Sequence, residues 1–321
     1  MDKQKIGMNK MAVIAFGGNA LLRSGEQGTY KEQIANVEQT CESVIRLLEQ
    51  GYHIVIGHGN GPQVGNVMLQ HEIASRVTDV PAMPLDFCVS ETQGSIGYLI
   101  EQGLRNILAK HHIKRNIVGL ITQVVVDKND KMLLNPTKPV GPYYKLKQMN
   151  TFLANNPGTP FKEDPKGNGW RRVVASPQPI EILNVEVIEM LAKAGHIVIT
   201  VGGGGIPVVK DKYQKINGIE AVIDKDLASA LLAVKIKADE FYILTDVPKI
   251  YINFRKPNEQ PIDTMTVTQA KKYLSEGHFT EGSMAPKVRA GIYFVENGGK
   301  ECIITEAGQL NNENCGTRII K

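Results

Sequence analysis

The chain has 321 residues, 42% hydrophobic and 22% charged, with a formal net charge of +4. This composition buries a sizeable core and excludes a disordered chain. Basic residues are mixed with acids and aromatics are only 6%, which excludes the basic stripe and stacking platform of a nucleic-acid binder.

The opening stretch, Met1 to Lys10, is polar and carries Asp2. It lacks the apolar core of a signal peptide, so a cytoplasmic setting is expected. Met11–Phe16 reads as a buried strand ending at the turn Gly17-Gly18-Asn19. An amphipathic helix follows, with Ile34, Val37, Cys41, Val44 and Leu48 on one face and Gly51 just past its end. His53–Ile56 is a second strand, running into Gly57-His58-Gly59-Asn60-Gly61-Pro62 and a helix from about Gln63. A helix near Gly94–Lys110 and a strand Val118–Val126 continue the alternation. Continuous apolar strands alternating with helices predict a parallel sheet covered on both faces.

Residues 127–172 break this pattern. They are rich in Pro, Gly, Asn and Lys and carry Tyr143, Tyr144, Phe161 and Trp170, so they read as an inserted lid subdomain. The alternation resumes with a helix Val185–Ala194, capped by Asn184 and stopped by Gly195, and a strand Ile197–Val201 ending at Gly202–Gly205. A strand Glu220–Ile223 leads into a helix from Asp224, and strand Phe241–Thr245 follows. Thr266 and Gln269 predict a capping box. A helix Met284–Glu296, a strand Cys302–Thr305 and an edge strand Thr317–Ile320 finish the chain. No uncharged apolar run is long enough to cross a bilayer.

Glycines at the carboxyl ends of parallel strands let backbone N–H groups approach an anion. Three such turns occur here, and none fits G-x-x-x-x-G-K-[ST] or G-x-G-x-x-G. Lys138 sits between Pro136 and Pro139, Lys225 between Asp224 and Asp226, and Lys287 just after Pro286. Lysines at helix starts oppose the helix dipole unless an anion lies between them and the backbone. Asp226 reads on local grounds equally as a holder of such lysines by charge-assisted hydrogen bonds and as a plain helix-start acid. The four cysteines are far apart, and no histidine pair has metal spacing, so no protein-held metal is expected.

Taken together, the motifs resemble the amino acid kinase superfamily, and within it the carbamate kinases. Those that carry the likeness are Ala15 to Ala20, His58 to Gly65, Pro81 to Asp86, Thr92 to Tyr98, Leu120 to Asp127, Asn135 to Pro139, Gly202 to Val208, Ala221 to Asp226 and Gly282 to Lys287. The resemblance spans nearly the whole chain. It implies an α/β/α sandwich with an open, mostly parallel sheet and a small inserted lid subdomain. The single kinase domain would cover 11–321, with a carbamoyl-phosphate lobe at about 11–205 and a nucleotide lobe at about 206–321.

The same resemblance implies phosphoryl transfer between carbamoyl phosphate and ADP, direct and in line, in a cytoplasmic homodimer that engages neither membrane nor nucleic acid. Gly17, Gly18, Asn19, Gly59, Asn60 and Gly61 would cradle carbamoyl phosphate. Lys138, Lys225 and Lys287 would neutralise the moving phosphoryl group, organised by Asp226. Gly203, Gly204, Thr245, Asp246, Val247, Tyr251 and Met284 would line the ATP/ADP site, with Mg²⁺ on the nucleotide. The alternatives are another kinase of the superfamily, acetylglutamate or UMP kinase-like, or a non-catalytic carbamoyl-phosphate-binding subunit.

Overall fold

The structure is a computed structural model that describes residues 10–23, 25–164, 167–310, 312 and 314–321. The polar opening stretch therefore lies outside the described residues except for Lys10, as does the Asn19 side chain.

The first half begins with β1 (Met11–Phe16), α1 (Tyr30–Glu42), α2 (Ile45–Glu49), β2 (His53–His58), α3 (Gly61–Val77) and α4 (Leu85–Lys110). The single helix expected after β1 is two, because the chain bends after Glu42. The expected helix at Gly94 begins earlier, at Leu85 directly after Pro84, whose ring fixes the φ of the residue before the helix. Leu85, Cys88, Val89, Thr92, Gln93 and Ile96 continue its buried stripe.

The expected strand Val118–Val126 is two strands in two sheets, β3 (Ile117–Gly119) and β4 (Gln123–Val126). Gln93 causes the break. Its side-chain carbonyl accepts from Thr122 N–H at 2.8 Å, and its amide donates to the Thr122 carbonyl at 3.1 Å. The grip turns the chain out of the first sheet.

Next come β5 (Lys138–Tyr144), α5 (Leu146–Asn155), β6 (Phe161–Glu163), β7 (Trp170–Val174) and β8 (Pro179–Ile182). Strands β5, β7 and β6 form a small antiparallel sheet. Tyr144, Phe152 and Phe161 meet edge to face over it, with ring centroids 5.3–5.8 Å apart. It rests on α3, where Gly65 meets Gly141 so closely that a Cβ on Gly65 would run into the Gly141 backbone. Arg172 adds an ion pair to Glu72 of α3 at 2.5 Å.

The second half holds α6 (Val185–Lys193), β9 (Ile197–Ile199), β10 (Ile206–Lys210), β11 (Ile216–Gly218), α7 (Lys225–Lys235), β12 (Glu240–Thr245), β13 (Ile250–Ile252), β14 (Gln260–Ile262), β15 (Thr264–Thr266), α8 (Val267–Ser275), α9 (Met284–Glu296), β16 (Glu301–Glu306) and β17 (Thr317–Ile320). Three expectations need correction here. Asn184 precedes α6 with left-handed backbone (φ 63°) and makes no side-chain cap. Ala221–Ile223 is buried but is not a strand; Val222 N–H bonds to the Ala175 carbonyl instead of joining a ladder. Strand β17 is not the edge, because β15 pairs outside it.

The main sheet has eight strands in the order β15-β17-β16-β12-β1-β2-β9-β3, parallel except where β16 meets β17. Alternate residues of β1 face opposite layers, as period-two geometry requires. Val13 and Ala15 pack with α6, α7, α8 and α9. Ala12, Ile14 and Phe16 pack with α1, α2 and α4. The result is an α/β/α sandwich. Strands β11-β10-β4-β8 form a second sheet beside it. Val64 and Met68 of α3, Cys88 and Val89 of α4, Val140, Val174 and Ile206 share a third apolar cluster between the sandwich and the small sheets.

Candidate active site

The carboxyl ends of β1, β2 and β9 carry the glycine turns singled out in the sequence. After β1 the chain enters a short 3-10 turn, with Ala20 N–H bonded to the Gly17 carbonyl at 3.1 Å and Leu22 N–H to the Gly18 carbonyl at 3.0 Å. Gly17 is buried against the Leu244 carbonyl, where no side chain fits. Gly18 is exposed and faces open space, as Gly61 does on its side. The turn after β2 is tied to the first by Gly59 N–H bonding to the Phe16 carbonyl at 3.2 Å.

Charge gathers where α7 and α9 begin. Asp224 caps α7, its Oδ1 accepting from Asp226 N–H at 2.9 Å and Leu227 N–H at 3.4 Å. Its Oδ2 accepts from Lys138 Nζ at 2.9 Å. Asp226 is 2% exposed and bonds through one oxygen to Lys225 and through the other to Lys287 Nζ at 2.8 Å. The Lys225 stem passes close to Gly59; a Cβ there would lie 3.1 Å from Lys225 Cδ. Three lysines therefore meet two aspartates, and one positive charge is left over. Two helix N-termini add partial positive charge beside it.

The ionisation of the cluster follows from this packing. Burial pushes the Asp224 carboxyl up, but Lys138 and then Lys225 outweigh it and hold it well below the usual range. Asp226 is also depressed, burial being overcome by Lys225 and Lys287. Lys287 is raised, since Asp226 outweighs its burial. Lys225 is lowered, because burial, together with repulsion from Lys287, outweighs Asp226. Both aspartates thus stay ionised and hold the lysines in place. Such a cluster attracts a multiply charged anion and stabilises negative charge without reorganising.

Other candidates occupy different places. The Asn60 side chain is buried, donates to Thr92 Oγ1 at 2.9 Å and packs against Gly203. Gly203 and Gly204 are buried with left-handed backbone (φ 64° and 89°), pressed against Asn60 and the Ile223 backbone. Protein neighbours alone account for those missing side chains. Thr245 and Asp246 follow β12, the Thr245 hydroxyl donating to Asp246 Oδ1 at 3.2 Å. Asp246 is exposed and close enough to Lys287 to raise it. Val247 is half-buried just beyond. Tyr251 lies on β13 with its ring 5.8 Å from that of Phe254, and Met284 opens α9 half-buried. A cavity of about 520 Å³ joins Gly17 to Thr245, Asp246 and Glu306 on the α1 side of these loops.

Sequence reasoning missed Asp224 and Gln93. Asp224 is a helix cap and lysine partner at once, and the Asp-Lys-Asp string was its only local signal. Gln93 also donates to the Gly202 carbonyl at 2.9 Å, binding α4 to the four-glycine turn. His58 is a positioning group. It is buried, its Nδ1 pairs with the Gly59 carbonyl at 3.0 Å, and burial lowers it to about 4 against the pull of that bond.

The sequence profile of the amino acid kinase family matches residues 10–306. The carbamate kinase of Thermococcus kodakarensis is 45% identical over 316 residues, 97% of this chain and 99% of its own. Among solved structures, the Giardia lamblia carbamate kinase bound to citric acid superposes with a TM-score of 0.92 at 41% identity, covering 98% of this chain and 100% of that one. The same enzyme bound to AMP-PNP gives a TM-score of 0.88 at 42% identity, with the same coverage.

Proposed function

This chain belongs to the amino acid kinase family, and from that premise we infer that it acts as a carbamate kinase, moving a phosphoryl group reversibly between carbamoyl phosphate and ADP to give ATP and carbamate. One observation carries the residue assignment. Lys138, Lys225 and Lys287 converge on Asp224 and Asp226 at two helix N-termini, with a net positive charge. Phosphoryl transfer asks a protein mainly for positioning and charge neutralisation. Here the lysines neutralise the phosphoryl oxygens and Asp226 fixes two of them. Asp224 fixes the third, Lys138, at the base of the small sheet. That sheet, with the segment 127–172 around it, serves as the lid over an N-terminal substrate lobe and a C-terminal nucleotide lobe.

Gly17, Gly18, Asn19, Gly59 and Gly61 present backbone to carbamoyl phosphate, and Asn60 shapes that turn from within. Thr245, Asp246, Val247, Tyr251 and Met284 line the nucleotide site, and Gly203 and Gly204 shape it from behind. The AMP-PNP complex of the Giardia relative supports a nucleotide of the ATP/ADP type. Mg²⁺ enters on the nucleotide. The carboxylates of Asp224 and Asp226 are already taken by lysines and helix N–H groups. The ion would therefore be held chiefly by phosphate oxygens and water, with Asp246 the exposed acid nearby. When bound, it spreads phosphate charge.

The protein works as a homodimer. Strand β3 is an open sheet edge, and exposed Tyr98 and Ile121 flank a 300 Å³ hollow beside it; a second copy would cover both. No helix among the described residues is long and apolar enough to cross a membrane. Four free, buried cysteines suit a cytoplasmic setting.

The test is ATP formation from ADP and Mg²⁺ with carbamoyl phosphate, run beside acetyl phosphate, N-acetylglutamyl phosphate and the UMP kinase reaction. Turnover with carbamoyl phosphate alone is expected. Binding of carbamoyl phosphate without turnover would instead mark a carrier.

A further inference from the structure

Helices α3 and α4 bring together three potential ligands from outside the phosphoryl-transfer site. His71 lies on α3, about 15 Å along the helix from Gly61 at 1.5 Å per residue. Cys88 and Glu91 lie one turn apart on α4 and so share a face. A ring nitrogen of His71, Cys88 Sγ and a Glu91 carboxylate oxygen all lie within 4.8 Å of one another. His71 and Glu91 already touch, Nε2 to Oε2 at 2.8 Å. Sequence spacing concealed the group because its members come from two helices.

We propose that His71, Cys88 and Glu91 form a site for a zinc-class divalent cation that ties α3 to α4. Thiolate, imidazole and carboxylate together are a ligand set that zinc and cobalt favour over magnesium or calcium. A tetrahedral ion with bonds of about 2.0–2.3 Å places its ligands roughly 3.5 Å apart. The three atoms reach that spacing by side-chain rotation of about an ångström, leaving the fourth position to water. Glu91 has room to rotate, its side chain being 38% exposed, and His71 is 20% exposed. Asp86 and Glu220 add negative charge that acts on the Cys88 thiol.

Binding breaks the His71–Glu91 hydrogen bond and the long Cys88 S–H contact to the Met83 carbonyl, and makes three metal–ligand bonds; the neutral imidazole's Nε2 proton moves to Nδ1 through solvent, freeing Nε2 to ligate. Burial, with Glu91 next, raises the thiol to about 11, so the ion displaces the thiol proton to solvent. The neighbouring Glu72 holds Arg172 of the small sheet. An ion there therefore stiffens the helix pair on which that sheet rests.

The experiment is a Co²⁺ titration of the reduced, magnesium-free protein, followed by absorption. The parent should show a thiolate-to-cobalt charge-transfer band that saturates at one equivalent and is quenched by Zn²⁺. Cys88→Ser should lose the band while keeping its circular dichroism spectrum and its turnover with Mg²⁺. His71→Ala should weaken cobalt binding about 10–100-fold, and this variant decides the matter if Cys88→Ser fails to fold. Absence of the band in the parent overturns the proposal. So does a band that survives in Cys88→Ser and thus comes from another thiol, or cobalt affinity unchanged in His71→Ala.

Discussion

Strand β12 has a carboxylate–lysine cluster at each end, and the two differ in how their charges close. At its start, Glu240 is 5% exposed and accepts from Lys10 Nζ at 3.0 Å, from Tyr52 OH at 3.0 Å and from Tyr242 OH at 2.7 Å. One anion meets one cation, and two phenols fill the remaining lone pairs. Both partners shift as a closed network demands: Lys10 is raised by its bond to Glu240, and Tyr242 by burial and then Glu240. Beyond its far end, two aspartates are shared by three lysines beside helix N-termini. Both are built from carboxylates and lysines. The first cluster is complete in itself and holds strands together, whereas the second is complete only with an anion.

This contrast can be broken most sharply at Asp226. Replacing it with Asn leaves Lys225 and Lys287 buried without their carboxylate, which should cost about 3–5 kcal/mol in urea unfolding and abolish turnover as well. Lys138→Ala comes next. It should cut turnover on the order of a hundredfold or more, yet cost only about 1 kcal/mol of stability, since its pair with Asp224 is partly exposed and Asp224 keeps its helix N–H donors. Glu240→Gln should do the reverse. Lys10 is 48% exposed and can return to water, so stability falls by about 1–3 kcal/mol while turnover is unchanged. A Glu240→Gln variant as inactive as Lys138→Ala would erase the distinction between the two ends.

The sequence made the strand–turn–helix alternation legible because buried parallel strands are continuously apolar and the helices between them are amphipathic. Lys225 and Lys287 were legible for a local reason, a cation at the wrong end of a helix. Partnerships across the chain were not. Lys138 and Asp224 are 86 residues apart, and no local pattern pairs them. The break between β3 and β4 was hidden too, because Gln93 imposes it from another helix. Ala221–Ile223 has the apolar run of a strand but no neighbouring edge to join, so tertiary context overrides its propensity. Asn60 and Gly203 looked like two ligand-facing positions, and the fold packs one against the other.

The smallest predicted effect tests whether His58 is as buried in solution as its place behind Gly59 requires. Its folded-state value is lowered to about 4 from the ordinary 6.5, chiefly by burial. The sign follows from which state takes the proton. Below pH 6.5 the unfolded chain protonates His58 and the folded protein does not, so stability falls as the pH drops from 6.5 towards 4. Between pH 6.5 and 5.5 this one group should remove about 1 kcal/mol. His58→Gln keeps a donor for the Gly59 carbonyl and cannot titrate. Urea unfolding of parent and variant across that window should show the parent losing about 1 kcal/mol more than the variant, whatever the variant's starting stability. The aspartates of the lysine cluster are depressed below their ordinary range, so they stay ionised throughout this window and contribute equally to both proteins. Equal slopes would mean that His58 meets water, and that Gly59 is not held from behind by a neutral imidazole.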